Sequence, residues 1–267
     1  MKYLSLFSGV GGGDLACQHL LGWRCMGYVE FNDYCQRVIA ARIRDRMLDS
    51  APIYGDVRTF ISDGYAESYK GMVDVIAGGF PCQPFSNAGK RRGADDPRNM
   101  WPATIECIRT IRPQFAFLEN VAALLSSGYF GTILGDLAES GYDARWRILS
   151  AAELGAPHQR DRIWIVCNAS SQGNNRNNTS KSKRVRLDME QDSLHQARGH
   201  QIKHNAHIPN PLLRENRGVE VWNSEPAIQR MVDGMAYGLD RTHAIGNGQV
   251  SAVAAKAWDL LTSEKRP

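Results

Sequence analysis

No apolar run in the sequence approaches the ~18–20 residues that a membrane-spanning helix requires, so no membrane partner is expected. No secretory leader is expected either: Met1-Lys2-Tyr3-Leu4-Ser5-Leu6-Phe7 has neither the long apolar stretch nor the small-residue cleavage site of such a signal. The chain is therefore expected to stay where it is made, in the cytoplasm. Cysteine is sparse, six in 267 residues, and never falls in Cys-x-x-Cys spacing; that disfavours zinc and fits a reducing compartment. His195, His200, His204 and His207 are widely spaced with no cysteine near them, so no metal site is expected. Charge is scarce too, at 22% of residues and a net +4, too mild to define a partner by itself.

What matters is where the charge lies. Between Asn168 and Gly218 nine Lys or Arg face four Asp or Glu, a net +5 that leaves the rest of the chain at −1. A basic insert on a near-neutral body is what a phosphate-contacting segment looks like, and a solvated loop looks the same. The length allows one large domain, or a large and a small one sharing a linker, and the 43% apolar content is that of a globular chain.

The centre of the sequence is Gly78-Gly79-Phe80-Pro81-Cys82-Gln83-Pro84-Phe85-Ser86, which follows the apolar run Val73–Ala77. A short β-branched run closed by two glycines predicts a buried strand ending in a loop. Two prolines stiffen the segment around Cys82, and a stiff, exposed thiol suits a nucleophile. Cys17, Cys25, Cys35, Cys107 and Cys167 have no such frame and read as small buried hydrophobes.

Upstream, Lys2–Phe7 reads as a strand, Ser8–Asp14 as a glycine turn and Leu15–Leu21 as a helix, an order that brings a nucleotide-like ligand to a helix N-terminus. Asp14 falls where a third glycine would complete the dinucleotide fingerprint, which disfavours NAD; a glycine turn can also be purely structural. The strand Cys25–Val29 ends at Glu30, where a carboxylate can accept both hydroxyls of a ribose. A helix is predicted over Asn32–Asp45 with Val38, Ile39 and Ile43 on one face, a short strand at Pro52–Tyr54, a helix over Asn99–Ile111, a strand over Gln114–Leu118 delivering Glu119-Asn120-Val121, a helix over Leu134–Ser140, and strands over Tyr142–Leu149 and Ile163–Val166. The last helix, Ser251–Thr262, is expected to pack through Ala252, Val253, Trp258 and Leu261.

Taken in order, Leu-Phe-Ser-Gly-Val-Gly-Gly, Gly-Asp-Val, Phe-Pro-Cys-Gln, Glu-Asn-Val, Gln-Arg-Asp-Arg and Gly-Asn-Gly resemble the motifs of the C5-cytosine DNA methyltransferases of bacteria and phages. The resemblance covers most of the chain. It implies an α/β fold, a Rossmann-like sheet that uses S-adenosylmethionine, with a small inserted target-recognition region. It also implies that Phe7, Gly9, Gly11, Glu30, Asp56, Val57 and Asn247 hold the cofactor, Glu30 on the ribose and Asp56 with Val57 on the adenine; a Gly-Asp pair can equally be a plain turn. By the same resemblance Cys82 is the nucleophile, Glu119 the acid at cytosine N3, and Arg160 and Arg162 structural and base-pocket partners. Gln83, Ser86, Lys90, Arg91 and Arg92 are candidate DNA contacts, the last three on a loop that closes over a flipped base, or ordinary surface charges. The family more often carries Val where this chain has Gln249.

The domain reading is residues 1–167 for catalysis and cofactor, 168–240 for target recognition, and 241–267 returning to the first part. Double-stranded DNA is the expected partner of a monomer, and a separate cognate restriction nuclease is an allowed one. Three other readings stay open: an RNA cytosine methyltransferase of the same architecture, a DNA-binding protein with a decayed site, and an NAD-dependent oxidoreductase.

Overall fold

The structure, a computed structural model, describes residues 1–81, 98–170 and 248–263. These all fall in one compact unit. Cys82, Gln83, Ser86, Lys90, Arg91, Arg92 and Asn247 lie outside the described residues, as does nearly all of the basic insert.

Among the described residues seven strands form one sheet: β1 (Lys2–Leu6), β2 (Arg24–Val29), β3 (Ile53–Tyr54), β4 (Val75–Gly79), β5 (Phe115–Val121), β6 (Tyr142–Leu149) and β7 (Arg162–Ala169), in the order β3-β2-β1-β4-β5-β7-β6. The pairs from β3 to β5 are all parallel, and β7 inserts antiparallel between β5 and β6. β1 is buried from Tyr3 to Leu6 and β4 opens on Val75-Ile76-Ala77, all buried, as expected of parallel strands covered on both faces. The strand order reverses between β1 and β4, and in an open sheet the crevice beyond such a switch point is where ligands collect. Both glycine-rich segments leave the sheet there.

The helices are α1 (Gly12–Leu15, continuing as a π turn to Leu20), α2 (Asp33–Arg44), α3 (Val57–Ser62), α4 (Tyr65–Ser68), α5 (Trp101–Ile111), α6 (Tyr129–Glu139) and α7 (Ser251–Ser263). Asn32 caps α2 by accepting the Cys35 N–H at 3.1 Å, satisfying one of the amides that a helix start leaves unpaired. Ile39 is the fully buried residue of its apolar face; Val38 and Ile43 are half-buried. None of the described helices is long and apolar enough to cross a membrane.

α7 packs back on the sheet, but not through every expected residue. Val253, Trp258 and Leu261 are buried, whereas Ala252 is exposed and Ala254, Ala255 and Ala257 take the inner face. Trp258 fixes the docking: its ring meets Trp23 at 4.6 Å and Phe115 and Phe117 at 5.4 Å each, all edge-on, and each such pair adds about 0.5–1.5 kcal/mol beyond burial. The five cysteines among the described residues are buried and free, and burial pushes the Cys107 and Cys167 thiols up to about 12. Inert packing is what such thiols do.

Candidate active site

β1 ends at Leu6, and the chain turns through three left-handed residues, Phe7 (φ 54°), Gly9 (φ 55°) and Gly11 (φ 82°). Phe7 is the costly one, since a side chain in that region carries about 1–3 kcal/mol of strain. The turn is pinned by Glu30, at the end of β2: Glu30 Oε2 accepts the Gly9 N–H at 2.7 Å, and Oε1 accepts the Asn32 N–H at 2.8 Å. A carboxylate offers about four acceptor positions, so two remain for a ligand.

Beneath the turn Asp14 is buried, accepting the Tyr3 hydroxyl at 2.9 Å. Burial pushes its carboxyl up to about 6, against hydrogen bonds from Ser5 and Tyr3. Tyr3 in turn accepts from Gln18, which also donates to Tyr28 at 3.1 Å. This network locks α1 and its π turn to the first two strands.

Gly12 and Gly13 serve a different purpose from Gly9 and Gly11. A Cβ on Gly12 would lie 2.5 Å from the main-chain oxygen of Gln249, and one on Gly13 would lie 2.1 Å from Gln249 Oε1. The C-terminal segment rests directly on the turn, and the Ser251 hydroxyl donates to the Gly12 carbonyl at 2.7 Å.

Glu119 is inside β5 rather than beyond it, paired with Gly79 on one side and Trp164 on the other. Only 8% of it is exposed. Arg162, the first residue of β7, donates from Nε to Glu119 Oε1 at 2.9 Å. The other oxygen lies over Gly79, where a Cβ would approach it to 2.6 Å. This is the local reason for a glycine one strand away from the acid. Burial raises the Glu119 carboxyl above the usual carboxylate range, with Arg162, Gln249 and Arg160 pulling the other way. Arg160 adopts φ 48° and its Nη2 donates to the carbonyl of Gly248; burial lowers its pKa, with Arg162 adding to the effect and Glu119 opposing it.

Breaking the Glu119–Arg162 pair leaves a buried carboxylate without its cation. Arg162→Ala is expected to cost about 3–5 kcal/mol at neutral pH, measured by denaturant unfolding. The sign with pH follows from linkage. With Arg162 gone the folded-state pKa of Glu119 rises further above its unfolded value, so the loss grows as pH rises from the unfolded pKa through the folded one and shrinks again in acid. An equal loss at about pH 5 and about pH 8 would mean that the pair does not govern this site.

Asn120 is a site residue that the sequence signals only as the middle of Glu-Asn-Val. It is 2% exposed, and its amide donates to the Phe80 carbonyl at 3.0 Å. That bond fastens the chain two residues before Cys82 to the strand that carries Glu119. Phe31, next to Glu30, is 74% exposed.

Phe7, Gly9, Asp14, Gly79, Glu119 and Gln249 line one cavity of about 40 Å³. Among the described residues the buried indole N–H of Trp164, also in its wall, has no acceptor. Asp56 and Val57 are not part of that lining. Asp56 caps α3, accepting the Arg58 N–H at 2.8 Å, and pairs with the Arg58 guanidinium at 2.6 Å, which holds its carboxyl below the usual range; Val57 packs into the core at 4% exposure.

Comparison with known proteins fits this geometry. The chain matches Type II methyltransferase M.NgoMIV of Neisseria gonorrhoeae at 34% identity, covering 61% of this chain and 50% of that one, and Type II methyltransferase M.AquIA of Picosynechococcus at 32%, covering 62% and 71%. It thus spans about half of the first relative. Among solved structures, the Dnmt2 methyltransferase of S. pombe superposes with a TM-score of 0.51 at 18% identity, covering 65% of this chain and 51% of that one. DNMT2 of Spodoptera frugiperda does so at 0.50 and 20%, covering 67% and 53%; both speak for the fold alone. The model of the C-5 cytosine-specific DNA methylases matches residues 1–253, nearly the whole length over which the glycine turn, the buried acid and the returning C-terminal segment were found, and the chain belongs to that family.

Proposed function

We propose that the chain transfers a methyl group from S-adenosylmethionine to C5 of cytosine in duplex DNA. The observation that carries this reading is Glu119, a buried acid with a raised pKa, held by Arg162 beside the strand that leads to Cys82.

Cytosine C5 is a poor nucleophile until C6 is attacked. The Cys82 thiolate forms the C6–S bond, and the ring electrons move to N3, where Glu119 gives up its proton. The resulting enamine makes C5 nucleophilic. After methylation a base or water takes the C5 proton, the C6–S bond breaks, and the thiolate leaves while N3 returns its proton to Glu119. A base stacked in a duplex cannot reach these groups, so the target is flipped out of the helix. The segment that follows β7, from residue 171 to 240, is proposed as the target-reading region.

The residues present fit the cofactor. Above Gly9 a built Cβ meets nothing within 4 Å, so the turn faces open space, and Glu30 keeps acceptor capacity beside it. Glu30 would hold the ribose, with Phe7 and Gly9 bordering it; Asp56, held by Arg58, and Val57, packed in the core, do not line the cavity, and Asn247 lies outside the described residues. When bound, S-adenosylmethionine supplies a methyl on a sulfonium centre.

The test is transfer of labelled methyl to unmethylated duplex DNA, with tRNA beside it and bisulfite sequencing of the product. Incorporation into DNA at cytosines in one short sequence context is expected. Label in tRNA alone would move the substrate to RNA, and no label in either, with cofactor still bound, would leave a binding protein.

A further inference from the structure

The two oxygens of Glu119 are held differently. Oε1 is fixed on Arg162 at 2.9 Å. Oε2, over the bare backbone of Gly79, has the side-chain amide of Gln249 at 3.5 Å, with Nε2 facing it. Gln249 does not depend on that contact for its place. The Arg160 guanidinium holds the carbonyl of Gly248 just before it, and Ser251 bonds to Gly12 just after it. Its amide oxygen rests against Gly13. The carboxamide therefore bridges the glycine turn and the acid, with its main chain clamped on both sides.

A guanidinium has donors only. It suits a carboxylate oxygen and cannot accept from a carboxylic acid, so the oxygen on Arg162 is not where the working proton resides. Oε2 must carry that proton to the base and take it back. A carboxamide is the neutral side chain that serves both states, its NH2 donating to a carboxylate and, after rotation, its oxygen accepting from the acid. An aliphatic side chain at this position would serve neither. A contact of 3.5 Å is long, as hydrogen bonds in unliganded sites are before they tighten around substrate.

We propose that Gln249 is a positioning residue for the methyl transfer proposed above, on which this inference rests: its carboxamide aims Glu119 Oε2 at the cytosine ring through both protonation states. The described groups facing Glu119 are Gly79 of β4, Arg162 and Trp164 of β7, Arg160 before it, and Gln249. The arginines are the charged ones among them.

Gln249→Met keeps length and volume and removes both amide functions. With full-length protein and duplex DNA, kcat is expected to fall about ten-fold, the size of one lost hydrogen bond to a charged group. Dissociation of S-adenosylmethionine, followed by calorimetry, should stay within about two-fold. The alkaline limb of kcat should move to higher pH, because the donated hydrogen bond that favours the carboxylate is gone. Gln249→Glu should move that limb further, by placing a like charge beside Oε2. A merely structural glutamine would move neither limb. An unshifted profile in both variants, or a loss confined to cofactor affinity, overturns this proposal and leaves the activity standing; an inactive wild type overturns both.

Discussion

Cys82→Ser is expected to lower methyl transfer by on the order of 10⁴-fold or more, the scale of losing a covalent nucleophile, while cofactor and DNA binding persist. A serine hydroxyl has the same reach, but it stays protonated where a thiol can ionise. The chain up to Pro81 is well fixed for such a role. Phe80 is 4% exposed, packs its ring 5.3 Å from Trp101, and gives its carbonyl to Asn120. A second arm tests the covalent step itself. Duplex DNA carrying fluorine at cytosine C5 has no proton to release after methylation, so the C6–S bond cannot break by the normal route. Wild-type protein should remain attached to such DNA through denaturing electrophoresis, and Cys82→Ser should not. Activity within about ten-fold of wild type in the serine variant, or attachment by that variant, would remove Cys82 from the mechanism.

The strands of this fold are legible in the sequence where a short apolar run is closed by glycines, as at Val73–Ala77, or where apolar and polar residues alternate, as over Tyr142–Leu149. Their ends are less so. The strand expected over Gln114–Leu118 runs on to Val121, because β7 pairs with it as far as Val121 opposite Arg162. Buried polar residues inside a strand, as Glu119 and Asn120 are, violate the local pattern, and such violations are expected at sites of function. The boundary placed at residue 167 meets a strand that continues to Ala169, with Asn168 paired to Phe115 and to Asp143.

Other features were hidden for a plainer reason. The helix α3 follows Gly55-Asp56, where a turn or an adenine contact was expected, and its cap is the same Asp56 side chain. α6 begins at Tyr129 rather than Leu134, since Gly131 and Gly135 dilute the periodicity without breaking the helix. In the sequence alone the glycine turn reads as backbone freedom for a ligand. Gly9 and Gly11 both take the left-handed backbone, Gly9 facing open space and Gly11 facing Leu48 and Arg42, but Gly12 and Gly13 are bare because Gln249 lies on them, a contact between opposite ends of the chain that no local window contains. The residue that lies on the glycines is also the one that touches the acid.

Glu119→Gln is expected to lower kcat by about 10²–10⁴-fold, the usual contribution of a positioned general acid, with the fold retained. The amide can still donate a hydrogen bond to cytosine N3, so binding of DNA should change little, but it has no proton to transfer. The stability arm has the opposite sign. Burial is the largest influence on this carboxyl and raises its pKa, so its ionisation opposes folding as pH rises through the folded value. A neutral amide has no such cost. It gives up the charge attraction to Arg162, and the two changes partly cancel, so the variant's stability should vary less with pH than that of the wild type. In the rate profile the wild-type kcat should decline on the alkaline side as Glu119 ionises, at a pH above the ordinary carboxylate range, and this limb should vanish from the residual activity of Glu119→Gln. A variant that kept the alkaline limb at the same pH would place the titrating group elsewhere, and one that kept wild-type kcat would show that protonation at N3 is not what makes cytosine C6 open to the thiolate.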